Sequence, residues 1–123
     1  MLLNDLFTYS ELEESSGSVL KFKIEINANH SVFDGHFPGN PVMPGVCQME
    51  IVKEVVRSHF KRELFFNSVA DMKFINMWLP NESNQVFLDI SVEEIKNGFR
   101  LKASIYSGTK TYFKLRGELN DSF

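Results

Sequence analysis

The feature that most constrains this chain is a change of hydrophobic period. Residues 46–60, "VCQMEIVKEVVRSHF", run without glycine or proline, and Val46, Met49, Val52, Val56 and Phe60 recur at spacings of three and four. That spacing predicts a helix of about four turns beginning near Pro44 or Gly45. On both sides the period falls to two. In "VLKFKIEIN" Phe22, Ile24 and Ile26 face one way, and Lys21, Lys23 and Glu25 the other, the signature of a half-buried strand. After the helix, "VADMKFINMWL", "QVFLDISVE", "FRLKASIYS" and "TYFKLRGEL" read as strands, with hairpin turns at "KNG" and "SGTK". Residues 1–17 read as a short helix or cap followed by a polar turn. One long helix among antiparallel strands implies an α+β fold with the sheet packed on the helix.

Length and composition narrow the function classes. A chain of 123 residues with 43% hydrophobic and 13% aromatic residues forms one domain, residues 1–123, with a core large enough to do without disulfides or metal. A net charge of −3 argues against nucleic acid as a partner. The single Cys47 fits a reducing compartment. The acidic start is unlike a signal peptide, and no apolar run reaches the roughly 20 residues of a membrane span. A cytoplasmic protein without membrane contact is expected.

Between the first clear strand and the helix lies "FDGHFPGNPVMPGVCQME", residues 33–50, with three glycines, three prolines, His36 and a closing Glu50. Turn formation accounts for the glycines and prolines but not for the histidine or for its spacing of fourteen from the glutamate. "GHFPGNPVMPGV…E" resembles the signature of the FabA/FabZ-type 3-hydroxyacyl-ACP dehydratases: a GHFPG loop, a second Pro-Gly at a helix start, and an acid fourteen positions after the histidine. The resemblance implies a hotdog fold, in which a curled antiparallel sheet wraps one long central helix. It also implies removal of water from a 3-hydroxyacyl thioester to give the trans-2-enoyl thioester, with His36 and Glu50 as catalytic residues meeting across a dimer interface.

The chemistry suits these residue types. Dehydration removes a C2 proton, which needs a base near neutral pH, and free imidazole sits at about 6.5. Expelling hydroxide from C3 needs an acid, and a sheltered carboxyl is suited to that. Glu54, four residues beyond Glu50, is expected to raise the Glu50 carboxyl by like-charge repulsion, with Lys53 opposing it. Charge on the thioester oxygen needs a donor, for which the Gly45 amide at the helix start is placed. Glu50, Lys53, Glu54, Arg57 and Lys61 fall on one side of the helical wheel, as a solvated face would.

The resemblance further implies a tunnel for a phosphopantetheine arm, with Phe33, Phe37 and Met43 as its expected lining. No metal and no cofactor are expected, since the substrate arrives on the carrier's own arm. The expected partners are acyl carrier protein and a second copy of the chain, as a homodimer or a multiple of it, with a heterodimer with a related dehydratase subunit as the alternative. A chain at −3 must meet an acidic carrier through a local basic patch, for which Lys53, Arg57, Lys61, Arg62, Arg100 and Lys102 are the candidates. His30, His59 and Cys47 read as structural. A bulkier, charged "IVKEVV" follows Glu50 where the usual enzymes carry an alanine-glutamine type of segment, which points to a specialised dehydratase of the aryl-polyene or polyketide-like kind. A hotdog thioesterase, or a non-catalytic acyl-carrier or acyl-chain binding subunit, is the alternative.

Overall fold

The structure is a computed structural model that describes residues 1–13, 15–34 and 41–121. Its elements are β1 (Phe7–Glu11), β2 (Val19–Ile26), a 3-10 turn (Ser31–Phe33), α1 (Gly45–Phe60), β3 (Phe65–Phe74), β4 (Gln85–Ile95), β5 (Gly98–Ser107) and β6 (Lys110–Asn120). The strands form one sheet in the order β1-β2-β4-β5-β6-β3, and every neighbouring pair is antiparallel. Because β2 pairs with β4, the helix and β3 are carried out of the line between them, and β3 closes the far edge of the sheet. The sheet is curled, and one of its faces packs with α1, as the resemblance implied.

Strict alternation built the central strands. Phe22, Ile24 and Ile26 of β2, Val86, Leu88 and Ile90 of β4, and Leu101, Ala103 and Ile105 of β5 are buried together with Ile51, Val52, Val55 and Val56 of α1. Each large aliphatic side chain so removed from water contributes roughly 1.5–3 kcal/mol. The turns fall where "KNG" and "SGTK" stand, with Asn97 and Gly108 at positive φ.

Three expectations are corrected. Residues 7–11 form strand β1, paired with β2 from Phe7↔Ile26 to Glu11↔Phe22, in place of a short helix or cap. Leu6 and Phe7 are buried there, and Tyr9 donates a hydrogen bond to Ser58 Oγ of α1 at 2.7 Å. The helix buries Cys47, Gln48, Ile51, Val52, Glu54, Val55 and Val56, while Val46 is 75% exposed. The buried face is therefore turned from the stripe read off the sequence, because the sheet curls over rows 48, 51–52 and 55–56. Finally, β3 begins at Phe65 and ends at Phe74, earlier than the segment that alternation suggested. Two register shifts against β6, between Phe66 and Ser68 and between Val69 and Asp71, break its period. Beyond β3, Trp78 is buried in a loop, donates its indole N–H to the Ser83 carbonyl at 2.9 Å and stacks on Tyr112.

Candidate active site

The site is built on the first three turns of α1. Pro44 is the residue before the helix, in extended conformation, and among the described residues no side chain caps the end. The Cys47 and Gln48 amides both turn back to the Pro44 carbonyl, at 3.1 and 3.3 Å. The earlier amides, those of Gly45 and Val46, carry the positive end of the helix dipole. Gly45 has a packing reason to lack a side chain. A Cβ there would lie 2.8 Å from Cζ of Phe74, so the end of β3 closes against the helix start.

Glu50 lies between one and two turns further on, its side chain 35% exposed and its Oε2 3.0 Å from Lys53 Nζ. Burial pushes its carboxyl up, but hydrogen bonds with Glu54 and Lys53, and the charges of Lys53 and Arg57, outweigh that and leave it below its ordinary value. Glu54 was expected on a solvated face and is 2% exposed. Its Oε1 accepts the amides of Leu2 at 2.9 Å and Leu3 at 2.8 Å, and its Oε2 accepts the Leu2 amide at 3.1 Å. Burial and the hydrogen bond with Glu50 push the Glu54 carboxyl up, against the Leu3 and Leu2 amides. The expected direction for Glu50 is thus reversed: its carboxyl lies below its ordinary value and that of Glu54 above.

His36 and Phe37 lie outside the described residues. Phe33 and Met43 are both buried in the main core. Phe33 also borders a cleft of about 380 Å³ shared with His30, Asp34, Pro41 and Asn81, and Asp34 and Pro41 flank residues 35–40. Met43 is held by its amide, which donates to the Trp78 carbonyl at 2.9 Å. His30 spends both ring nitrogens: Nδ1 accepts the Val32 amide and Nε2 meets Asp5 Oδ2, each at 2.9 Å. His59 packs edge-on to Phe22 and Phe60. Cys47 is buried, and its thiol is pushed up by that burial and by Glu50 and Glu54, in keeping with a packing role.

Four of the six expected docking cations are engaged within the chain. Lys53 meets Glu50 at 3.0 Å, Arg57 meets Glu63 at 3.6 Å, Arg62 meets Asp121 at 2.7 Å, and Arg100 meets both Glu93 and Glu118. Lys61 and Lys102 are exposed and, among the described residues, pair with no carboxylate. Lys102 lies opposite Arg116 on β6. With Lys73, Lys114, Asp71 and Asp89 these two line a hollow of about 340 Å³ on the face of the sheet away from the helix. Lys114 and Arg116 were not among the cations singled out from the sequence. Nor was Gln48 singled out: its Nε2 donates to the Met43 carbonyl, while its buried Oε1 has no partner among the described residues. A glutamine among the apolar residues of the helix was the available signal.

The family model of ApeI-like proteins, described as ApeI dehydratase, matches residues 11–112. The chain belongs to the ApeI-like dehydratase family. Curated relatives include the 3-hydroxyacyl-[acyl-carrier-protein] dehydratase FabZ of Fusobacterium nucleatum, 29% identical over 91 residues, covering 70% of this chain and 63% of the relative. The FabZ of Ligilactobacillus salivarius is 32% identical over 90 residues, covering 68% of this chain and 63% of the relative. The chain thus spans a little under two thirds of the length of these relatives. Among solved structures, the dehydratase heterocomplex ApeI:P from Xenorhabdus doucetiae aligns with a TM-score of 0.69 at 22% identity, covering 90% of this chain and 96% of that one. An uncharacterized protein from Erwinia carotovora subsp. atroseptica aligns at 0.59 and 21% identity, covering 91% of this chain and 94% of that one. The ApeI-like chain therefore has the hotdog fold.

Proposed function

We propose that this chain dehydrates 3-hydroxyacyl thioesters carried on acyl carrier protein, in specialised fatty-acid or polyene synthesis. The observation that carries the reading is the family match over residues 11–112, which contains the whole GHFPG…Glu50 signature. The FabZ relatives are named for the same reaction on the same carrier. In this mechanism His36 removes the C2 proton, and the Gly45 amide at the start of α1 stabilises charge on the thioester oxygen. The C2–H electron pair forms the new double bond, and the C3–O pair leaves with hydroxide, which takes a proton from Glu50 and departs as water. Phe33, Phe37 and Met43 line the acyl path. The carrier's own phosphopantetheine supplies the thioester, and the reaction needs no other cofactor. A reducing compartment such as the cytoplasm accords with one buried, unbridged cysteine.

Two chains complete the site in this reading. The edge strand β3 and the loop after it expose Val69, Met72, Phe74, Ile75 and Met77 beside Val46, an apolar margin that pairing along β3 would cover. The second chain is another copy or a related dehydratase subunit, as in the Xenorhabdus heterocomplex. Docking of an acidic carrier falls to Lys61 and Lys102, joined by Lys114 and Arg116, since the other expected cations are already paired.

The test is turnover of a panel of 3-hydroxyacyl carrier-protein substrates, followed by mass spectrometry for loss of water. His36→Ala should lower the rate at least about a hundredfold, the lower range for a positioned general base. Full activity in that variant removes the assignment. One observation favours a second reading, a non-catalytic subunit: Glu50 is tied to Lys53 and lies below its ordinary value. Absence of turnover by the pure chain, with activity restored to a partner subunit on mixing, would support it.

A further inference from the structure

Strand β3 is the last of the sheet, and among the described residues its free edge pairs with no other strand. Residues 71–74 run without a register shift against Arg116 to Phe113 of β6, and the Ile75 amide donates to the Tyr112 carbonyl at 2.9 Å. Peptide groups of an antiparallel strand alternate in direction. Those of Asp71 and Lys73 therefore also point to β6, and those of Met72 and Phe74 point out from the sheet. The side chains alternate as well. Phe74 meets Phe113 and the helix start, which puts Met72 and Phe74 on the helix side. Asp71 and Lys73 line the hollow on the opposite face.

The charges on that face are unbalanced within one chain. Lys73 stands opposite Lys114 of β6, and Asp71 opposite Arg116. Like charges directly opposite one another are destabilising, and among the described residues Lys73 has only Asp71 of its own strand, at 3.8 Å. A second copy can bring an acid to its free side. Two copies of β3 laid antiparallel keep their helix sides together only when the two-fold axis passes through a residue, not between two. An axis through Asp71 opposes two carboxylates, and one through Lys73 opposes two ammonium groups. An axis through Ala70 sets Asp71 against Val69, and one through Phe74 sets Lys73 against Ile75. Of these positions only Met72 sets Asp71 of each copy against Lys73 of the other.

We propose, resting on the two-chain reading above, that the second chain is another copy of this one, paired along β3 with Met72 on the two-fold axis. Met72 then exchanges both peptide hydrogen bonds with the partner's Met72. On the outer face the row runs Lys114, Lys73, the partner's Asp71 and the partner's Arg116, so each carboxylate lies between two cations. On the helix side the two Met72 side chains cover one another. The fit needs one sequence only, because Asp71 and Lys73 lie one residue to either side of the axis.

The experiment uses the full chain and reads association directly. Cys47 is the single cysteine and is buried, so Met72→Cys adds the one exposed thiol. Hydrogen-bonded antiparallel partners have Cα atoms about 5.5 Å apart, within the roughly 4.4–6.8 Å that a disulfide spans. Mild oxidation should link most Met72→Cys chains into dimers, read by non-reducing electrophoresis and intact mass. Phe74→Cys should link poorly, since its counterpart would lie roughly 13 Å along the strand. Asp71→Lys and Lys73→Asp should each raise the dimer Kd at least about tenfold in sedimentation, because each turns two attractive pairs into repulsive ones. An equal mixture of these two variants should associate like the wild type, since every pair across the axis again joins opposite charges. A wild type that stays monomeric overturns the proposal and leaves a related subunit as the partner. Preferential linking through Phe74→Cys, or a mixture no tighter than its components, also overturns it. None of these readouts uses turnover. A chain that pairs in this way and dehydrates no 3-hydroxyacyl thioester sinks the dehydratase reading and not the pairing.

Discussion

Substituting Gly45 by alanine separates packing from chemistry at the helix start. The added methyl carbon would lie 2.8 Å from Cζ and 3.0 Å from Cε1 of Phe74. Carbon atoms rest at about 3.5–4.0 Å, so the ring must withdraw by roughly 0.7 Å. Phe74 is 51% exposed at the end of an edge strand, and its ring is free to do so. Alanine also favours the helix, by up to about 1 kcal/mol. The two effects nearly cancel, and Tm should move by no more than about 4 °C. The rate should behave differently. In the proposed mechanism the methyl stands beside the amide that the thioester oxygen approaches, and a displacement of about 1 Å from productive geometry costs on the order of a hundredfold, or about 2.7 kcal/mol. The assay is the appearance of enoyl thioester by absorbance, with thermal unfolding as the control. A variant with wild-type Tm and kcat/KM within about threefold of wild type would refute the placing of the thioester at Gly45. The double variant Gly45→Ala/Phe74→Ala distinguishes the two causes: it should restore packing space and leave the rate low.

Two further outcomes are expected. The raised carboxyl of Glu54 binds its proton more tightly in the folded chain than in the unfolded one, so the folded state holds more protons above the ordinary glutamate range and stability falls as pH rises through that window. Glu50, lowered, acts with the opposite sign and loses its contribution as pH falls through its folded value. Thermal unfolding of Glu54→Gln across pH should therefore lack the decline above the ordinary glutamate range, and an unchanged profile would refute this account. At the sheet edge, Met72→Glu with Phe74→Glu should convert a dimer into a monomer in sedimentation velocity and abolish turnover; a wild type that is monomeric and active would refute the two-chain site.

Much of the fold could be read from sequence, for reasons visible in particular residues. Strands β2, β4, β5 and β6 bury one face over most of their length, so their alternation shows and their spans were found almost to the residue. Strand β1 has only five residues, too few for a period to show, and its pairing partners lie near residues 22–26. Strand β3 is an edge with two bulges, and its side chains follow neither the strand nor the helix period. The choice of Glu50 rested on its spacing from His36. Its electrostatic state was not legible. Glu54 reads as one more charge on a polar face until residues 1–6, some fifty positions away, fold across it. The pairing of the docking cations within the chain was hidden for the same reason: Arg62 meets Asp121, 59 positions later.

The exposed margin bears on the chemistry as well as on assembly. Val46 is 75% exposed, and Phe74, Ile75 and Met77 are 51%, 47% and 67% exposed, so the helix start that would hold the oxyanion in the proposed mechanism stands open to water. An amide donor in water contributes little, because solvent competes for the same oxygen; in a site from which water is excluded the same donor is worth several kcal/mol. The apolar residues that make the monomer's margin unfavourable in water are those that would dry the Gly45 amide once a second chain covered them. Association and catalysis would then depend on the same side chains, and a variant that weakens the interface without touching His36 or Glu50 should lose turnover in proportion to the fraction dissociated, recovering it as protein concentration is raised.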